Sequence, residues 1–184
     1  EYRKLFLCAF QDYEIFAGTI KENVLLGRSG TDEEVREALT KAGIYEKVRM
    51  LPNDIHTMLT KEFDEKGVLL SGGEFQKIVC SRVFVDDKKV SLFDEPSSAL
   101  DQISENELFN SIIRSVKERT GIFISHRLSS VKDADCVFML EQGKILEQGS
   151  HSELMARNGA YYEMYKVQER NYFMFDADVV GENL

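Results

Sequence analysis

Alternating strand-like and helix-like segments predict an α/β fold with a mainly parallel sheet covered by helices. Three observations carry that prediction. Short apolar runs at Leu5 to Ala9, Val90 to Phe93 and Ile122 to Ile124 have strand length and are separated by segments with helical spacing. Ser/Thr-x-x-Glu pairs at Thr31 and Glu34, Ser104 and Glu107, and Ser150 and Glu153 mark helix starts. Finally, 184 residues of which 43% are hydrophobic suffice for one domain with a real core, so no disulfide or metal is required to hold it.

The elements follow in order. Leu5 to Ala9 reads as a buried strand. Thr31, Glu34, Val35, Leu39 and Ala42 combine a capping box with an apolar helical stripe that stops at Gly43, and Ile20 to Met58 is expected to be mostly helix. A helix then starts near Glu74 and carries Phe75 to Val85, ending at Asp86-Asp87-Lys88-Lys89. Strand Val90 to Phe93 comes next, then a helix opened by Ser104 with the face Leu108, Ile112, Ile113 and Val116, ending near Thr120-Gly121. After strand Ile122 to Ile124, Cys136 to Leu140 and Lys144 to Glu147 flank Gln142-Gly143 as a hairpin. Ser150 and Glu153 cap a short helix, and a Tyr- and Met-rich helix follows it.

Composition excludes several classes. With 23 basic and 32 acidic residues the net charge is −9, which argues against a protein that coats nucleic acid or anionic lipid. No apolar stretch approaches the roughly 18 to 20 uncharged residues that span a bilayer, and no signal-like start is seen. Cys8, Cys80 and Cys136 show no metal or redox spacing. Each sits in an apolar run and is expected to be a small buried residue in a reducing compartment. His56 and His151 are read as solvent-facing.

Chemistry concentrates at four points. Ser91-Leu92-Phe93-Asp94-Glu95-Pro96 is an apolar strand ending in two carboxylates, at the carboxyl edge of a parallel sheet where such folds bind ligands. One acid there can hold Mg²⁺ while the next polarises water, as a nucleotide triphosphatase needs. Taken alone, the Asp-Glu pair is also an ordinary solvated turn. Ser71-Gly72-Gly73 at a helix mouth lets backbone N–H groups approach an anion, although a tripeptide of this kind equally serves as a plain helix start. His126 follows a strand and is expected at the same sheet edge as Asp94 and Glu95; Gln11 stands just past the first strand. Singly, the last two are unremarkable strand-end residues.

Together and in this order, these residues resemble the ATP-binding-cassette family. Leu70-Ser71-Gly72-Gly73-Glu74 is similar to its signature motif LSGGQ, Phe93-Asp94-Glu95-Pro96 to Walker B, Ser98-Ala99-Leu100-Asp101 to the D-loop, and His126 to the switch histidine. The resemblance runs from about Phe10 to about Tyr165. Phe10-Gln11-Asp12 with Phe16 to Asn23, and Glu62 to Gly67, resemble the Q-loop region and pre-signature segment of exporter-type cassettes, which meet the membrane domains. Three departures stand out: Glu74 replaces the usual Gln, Pro96 the Ala commoner in exporters, and Asp64 a usual glycine.

The resemblance implies a P-loop-NTPase-like α/β core with helices on both faces and a helical subdomain carrying the signature. Residues 12–85 would form that subdomain, 86–170 the core, and 171–184 a tail. Gly181-Glu182-Asn183-Leu184 looks like a truncated tag-protease site, so the tail is either partly an expression scar or native. Family logic makes Asp94 the Mg²⁺ ligand, Glu95 the general base and His126 the γ-phosphate contact. Gln11 would link metal and water to the membrane partner. Ser71, Gly72, Gly73 and Glu74, with Ser98 and Asp101, are the further ATP contacts. ATP and Mg²⁺ are the implied cofactors; the implied partners are a second cassette, identical or different, and transmembrane domains, at the cytoplasmic face of a plasma or inner membrane.

No G-x-x-x-x-G-K-[ST] loop occurs in the sequence, because the one Gly-Lys pair, Gly143-Lys144, is followed by Ile145. In the family that loop precedes the Q-loop, so the chain is expected to start after it, to lack N-terminal strands, and to be inactive alone. Two other readings stand beside the exporter. One is a non-catalytic or regulatory cassette of a heterodimeric transporter. The other is a DNA-repair or chromosome-condensing ATPase, disfavoured because no sustained heptads separate Gln11 from Ser71.

Overall fold

The computed structural model describes residues 2–9, 14–61, 65, 67–85, 88–96, 99–117, 119–126 and 131–180, with 3, 4, 102 and 171–180 by backbone alone. Gln11, Ser98, Asp64 and the 181–184 end lie outside the described residues. The chain forms two compact units, Glu1–Ile124 and Ser125–Leu184.

The first unit holds a parallel sheet in the order β1 (Phe6–Ala9), β2 (Val90–Asp94), β3 (Thr120–Ile124). Register aligns Cys8 with Leu92 and Leu92 with Ile122, so one sheet face can be followed across all three strands. Leu7, Ala9, Ser91 and Phe93 are buried on one face. There Phe93 stacks on Phe123 with ring centroids 4.6 Å apart, and Phe109 tilts against Phe123 at 5.1 Å. On the opposite face Phe6, Ile122 and Ile124 are 37%, 49% and 59% exposed. Helical cover on both faces was expected; among the described residues of this unit it is found on one. The same alternation corrects the cysteine reading: Cys80 is buried, but Cys8 points to the open face and Cys136 is exposed ahead of a strand.

Between β1 and β2 lie helices α1 (Ile20–Leu25), α2 (Asp32–Lys41), α3 (Tyr45–Val48) and α4 (Gly72–Ser81), and α5 (Gln102–Ser115) joins β2 to β3. Capping explains their starts. Thr19 with Glu22, Thr31 with Glu34 and Ser71 with Glu74 form reciprocal capping boxes that satisfy donors left open at a helix N-terminus. Helix α4 therefore begins at Gly72, two residues ahead of the expected start. Helix α5 also begins early, because Asp101 rather than Ser104 is its cap. Val24, Val35, Leu39, Ile55, Ile78, Phe93 and Ile112 belong to a single apolar cluster, so the helical block and the sheet share one core. Each such side chain contributes about 1.5–3 kcal/mol by leaving water.

The second unit contains the antiparallel hairpin β4 (Val137–Glu141) and β5 (Lys144–Gly149), then α6 (His151–Arg157) and α7 (Ala160–Val180). Gln142 and Gly143 both take positive φ, 48° and 76°, the conformation a two-residue hairpin turn demands. Leu154 and Tyr161 are fully buried. His151 is not free in solvent as expected: its Nδ1 lies 2.8 Å from the Tyr161 hydroxyl, and its ring packs against Tyr165. His56 is 53% exposed and pairs with Asp32 at 3.0 Å. Among the described residues no helix is long and apolar enough to cross a membrane.

Candidate functional site

At the mouth of α4 the Ser71 N–H donates to Glu74 Oε2 at 2.8 Å, and the Ser71 hydroxyl oxygen accepts from the Glu74 N–H at 3.3 Å. Gly72 and Gly73 form the first turn, where backbone N–H groups and the helix dipole favour an anion. A Cβ on Gly73 would stand 3.0 Å from the Ala99 carbonyl oxygen, so glycine is what lets α4 approach that loop. Burial pushes the Glu74 carboxyl up, but the Ser71 N–H and hydroxyl and then Lys47, 3.6 Å away, outweigh it and hold the carboxyl below its ordinary range. An ionised acid therefore sits at the mouth.

Strand β2 ends in Asp94, half-buried, followed by Glu95 with φ 47°. A left-handed backbone is unfavourable for an L-residue other than glycine and must be held by its surroundings. The Glu95 N–H donates to the Ile124 carbonyl at 3.0 Å. From α4, the Gln76 Nε2 donates to the Glu95 carbonyl at 3.3 Å while Gln76 Oε1 accepts the Ala99 N–H at 2.9 Å. One turn on, the Cys80 thiol donates to the Pro96 carbonyl at 3.3 Å. Burial pushes that thiol up to about 12, so it remains a donor near neutral pH.

Asp101 accepts the Ile103 and Ser104 N–H groups at 3.1 and 3.0 Å, and those bonds, Ser104 first, lower its carboxyl. Lys77 Nζ reaches Ser104 Oγ at 3.2 Å, a further tie between α4 and α5. On the other side, fully buried Asn23 folds the 14–23 segment. Its Oδ1 accepts the Phe16 N–H at 2.8 Å and its Nδ2 donates to the Phe16 and Thr19 carbonyls. Arg82, the C-cap of α4, donates to the Asn23 and Glu14 carbonyls at 2.9 and 3.2 Å.

Helix α4, which opens on Ser71-Gly72-Gly73-Glu74, is thus tied by Gln76 and Cys80 to the backbone that follows Glu95 and by Lys77 to α5, which Asp101 caps. His126 belongs to the second unit; it is exposed, and its carbonyl accepts from Gln168 Nε2 at 2.7 Å. Gln11 and Ser98 lie outside the described residues. Gln76, Cys80, Asn23 and Arg82 were not found from sequence. A signal existed for Gln76, a polar residue set among Phe75, Ile78 and Val79 and one turn from Cys80. Among the described residues no three His, Cys, Asp or Glu side chains gather into a metal cage.

No family model matches the chain. Individual proteins do. Leptomycin B resistance protein pmd1 of Schizosaccharomyces pombe is 39% identical over 93% of this chain and 12% of its own length. Multidrug resistance protein homolog 65 of Drosophila melanogaster is 40% identical over 88% of this chain and 12% of its length. A Staphylococcus aureus protein whose name assigns it to multidrug export as an ATP-binding/permease protein is 40% identical over 86% of this chain and 27% of its length. The solved structure of a bacterial Atm1-family ABC exporter with ATP bound superposes with a TM-score of 0.82 at 36% identity, over 91% of this chain and 29% of that one. Identity at this level over nearly the whole chain marks these proteins as homologues, and the chain spans between about an eighth and about a quarter of the curated relatives named here.

Proposed function

We infer that the chain is the C-terminal part of a nucleotide-binding domain of an ABC exporter, in which ATP binding and hydrolysis between two cassettes drive substrate across a membrane. The observation that carries this reading is that the helix with the glycine mouth, α4, is bonded through Gln76 to the backbone directly after the strand-end carboxylate pair. Homology to multidrug exporters over nearly the whole chain supports it.

Asp94 is the proposed Mg²⁺ ligand. The donor set fits that ion, since the half-buried Asp94 carboxylate, with no three-ligand cage among the described residues, leaves room for the phosphate oxygens and waters that magnesium prefers. When bound, the ion neutralises charge on the transferring phosphate. Glu95 takes the proton of the attacking water, with its backbone held by Ile124 and Gln76. His126 contacts the γ-phosphate, and Gln11 couples the site to the membrane partner. Ser71, Gly72 and Gly73 offer N–H and hydroxyl donors to the nucleotide held by the opposite cassette, with Glu74, Ser98 and Asp101 beside it. The second cassette and transmembrane domains are the proposed partners, at the cytoplasmic face of the membrane. Without a phosphate loop among its 184 residues, the chain alone is inactive.

In the full-length transporter, Glu95→Gln should lower MgATP turnover by roughly 10²- to 10⁴-fold, the range of a lost general base, while ATP still binds. Turnover at the unsubstituted rate would remove Glu95 from this role. A second reading, a cassette with a weakened signature site in a heterodimer, is favoured by the ionised Glu74 at a mouth meant for phosphate.

A further inference from the structure

Gln76 is 2% exposed on a helix whose neighbouring positions are largely apolar, and a buried amide is costly unless both of its ends are bonded. Its two ends meet backbone groups of one loop, the Glu95 carbonyl at 3.3 Å and the Ala99 N–H at 2.9 Å. Gly73, one turn before, touches the same loop at the Ala99 carbonyl, and Cys80, one turn after, holds the Pro96 carbonyl. Spacing of three and then four residues keeps these positions on one side of α4. At the far side of the clamp Glu95 is in the left-handed region, where backbone rotation re-aims the side chain.

We propose that Gln76 is a positioning residue that clamps the backbone following Glu95, from the Glu95 carbonyl to the Ala99 N–H, so that the glycine mouth of α4 and the Glu95 carboxylate of the same subunit move as one body. This rests on the reading of Glu95 as base and of Ser71-Gly72-Gly73 as the partner nucleotide's contact. In such a dimer Gln76 carries information between two sites: an anion that draws in the mouth of α4 also sets the carbonyl from which Glu95 projects.

The test uses the full-length transporter with Gln76→Met, which keeps length and loses both bonds, and Gln76→Glu, which reproduces the amide's donor and acceptor only while protonated. Gln76→Met should lower kcat by roughly tenfold to a hundredfold, the scale of a misplaced reacting group, with KM for MgATP changed far less. Amide exchange at Ala99 should quicken by about tenfold, as for loss of one net hydrogen bond. Gln76→Glu should approach the unsubstituted kcat at acidic pH and lose it as pH rises, a limb the unsubstituted protein lacks. Unchanged kcat and unchanged Ala99 exchange in Gln76→Met overturn the proposal, as does a parallel fall of kcat, KM quality and melting temperature, which marks a merely structural contact. Should Gln76→Met fail to fold, the pH limb of Gln76→Glu decides: its presence supports the clamp and its absence overturns it. Glu95→Gln, run beside them, separates the two claims. If that variant keeps turnover the base assignment fails, while Ala99 exchange still reads the clamp.

Discussion

Helix α4 opens on Ser71-Gly72-Gly73-Glu74 and helix α6 on Ser150-His151-Ser152-Glu153, and their capping boxes share the same distances, 2.8 Å from the serine N–H to the glutamate and 3.3 Å in return. What differs is everything between and beyond the caps. Behind the first cap two glycines allow contact with the loop that follows β2, and Gln76 and Cys80 bond to that loop. Behind the second, His151 closes onto Tyr161 and Tyr165 around a small apolar cluster. A capping box alone is thus a device for starting helices, used also at Thr19 and Thr31. What sets α4 apart is the pair of glycines that leave backbone donors approachable and the side chains that tie the helix to the backbone after Glu95.

The widest separation between the two helices should come from Gly73→Ala against Ser152→Ala. At Gly73 the new methyl meets a backbone carbonyl at 3.0 Å, so α4 must withdraw from the loop. An overpacking cost of about 1–3 kcal/mol is expected, with loss of turnover in the full-length protein. Ser152 is exposed, and its substitution should shift stability by less than about 0.5 kcal/mol. Equal melting temperatures for the two variants would break the comparison.

Cap removal comes next. Ser71→Ala and Ser150→Ala should each cost about 1 kcal/mol in denaturant titrations, because each leaves one N-terminal donor unbonded. Only Ser71→Ala should also slow ATP turnover beyond the loss of folded protein. Equal effects on turnover would deny α4 any special role.

The smallest effect concerns the two glutamates. Glu74→Gln should lose about 0.3–1 kcal/mol of helix-dipole stabilisation and yet tighten MgATP in the full-length dimer, since on the proposed reading it removes an anion from the nucleotide's contact. Both carboxyls are lowered in the folded state. Burial opposes the Ser71 bonds at Glu74, whereas at Glu153 the Ser150 N–H and hydroxyl dominate. Stability from each is complete above the ordinary value of 4.5 and is lost as pH falls through the lowered folded value. Thermal melts at decreasing pH should show a shallower acid loss in each Gln variant; an unaltered acid limb in both would contradict the cap assignment.

Much of this was legible in sequence because local signals agreed with the fold. Three strands, the Gln142-Gly143 hairpin and the boxes at Thr31 and Ser150 fall where turn chemistry and periodicity place them. The Asp94-Glu95 pair was visible from the apolar strand before it. The exposure of Cys8 was hidden because a short continuous apolar run does not reveal which strand faces are covered. Asp101 displaced Ser104 as a cap because both residues can accept an N-terminal N–H and only the observed geometry decides between them. The Gln76 clamp escaped because its partners are backbone groups about twenty residues away, which leave no pattern in a sequence.

The most direct test of the central claim is MgATP turnover by the 184-residue chain, alone and mixed with a polypeptide from the same parent that carries a G-x-x-x-x-G-K-[ST] loop. Turnover should be absent from the chain alone, appear on mixing, and vanish again with Glu95→Gln. Silence in a mixture whose two pieces demonstrably associate would contradict a catalytic cassette built around Asp94 and Glu95, and turnover by the chain alone would contradict its dependence on the phosphate loop.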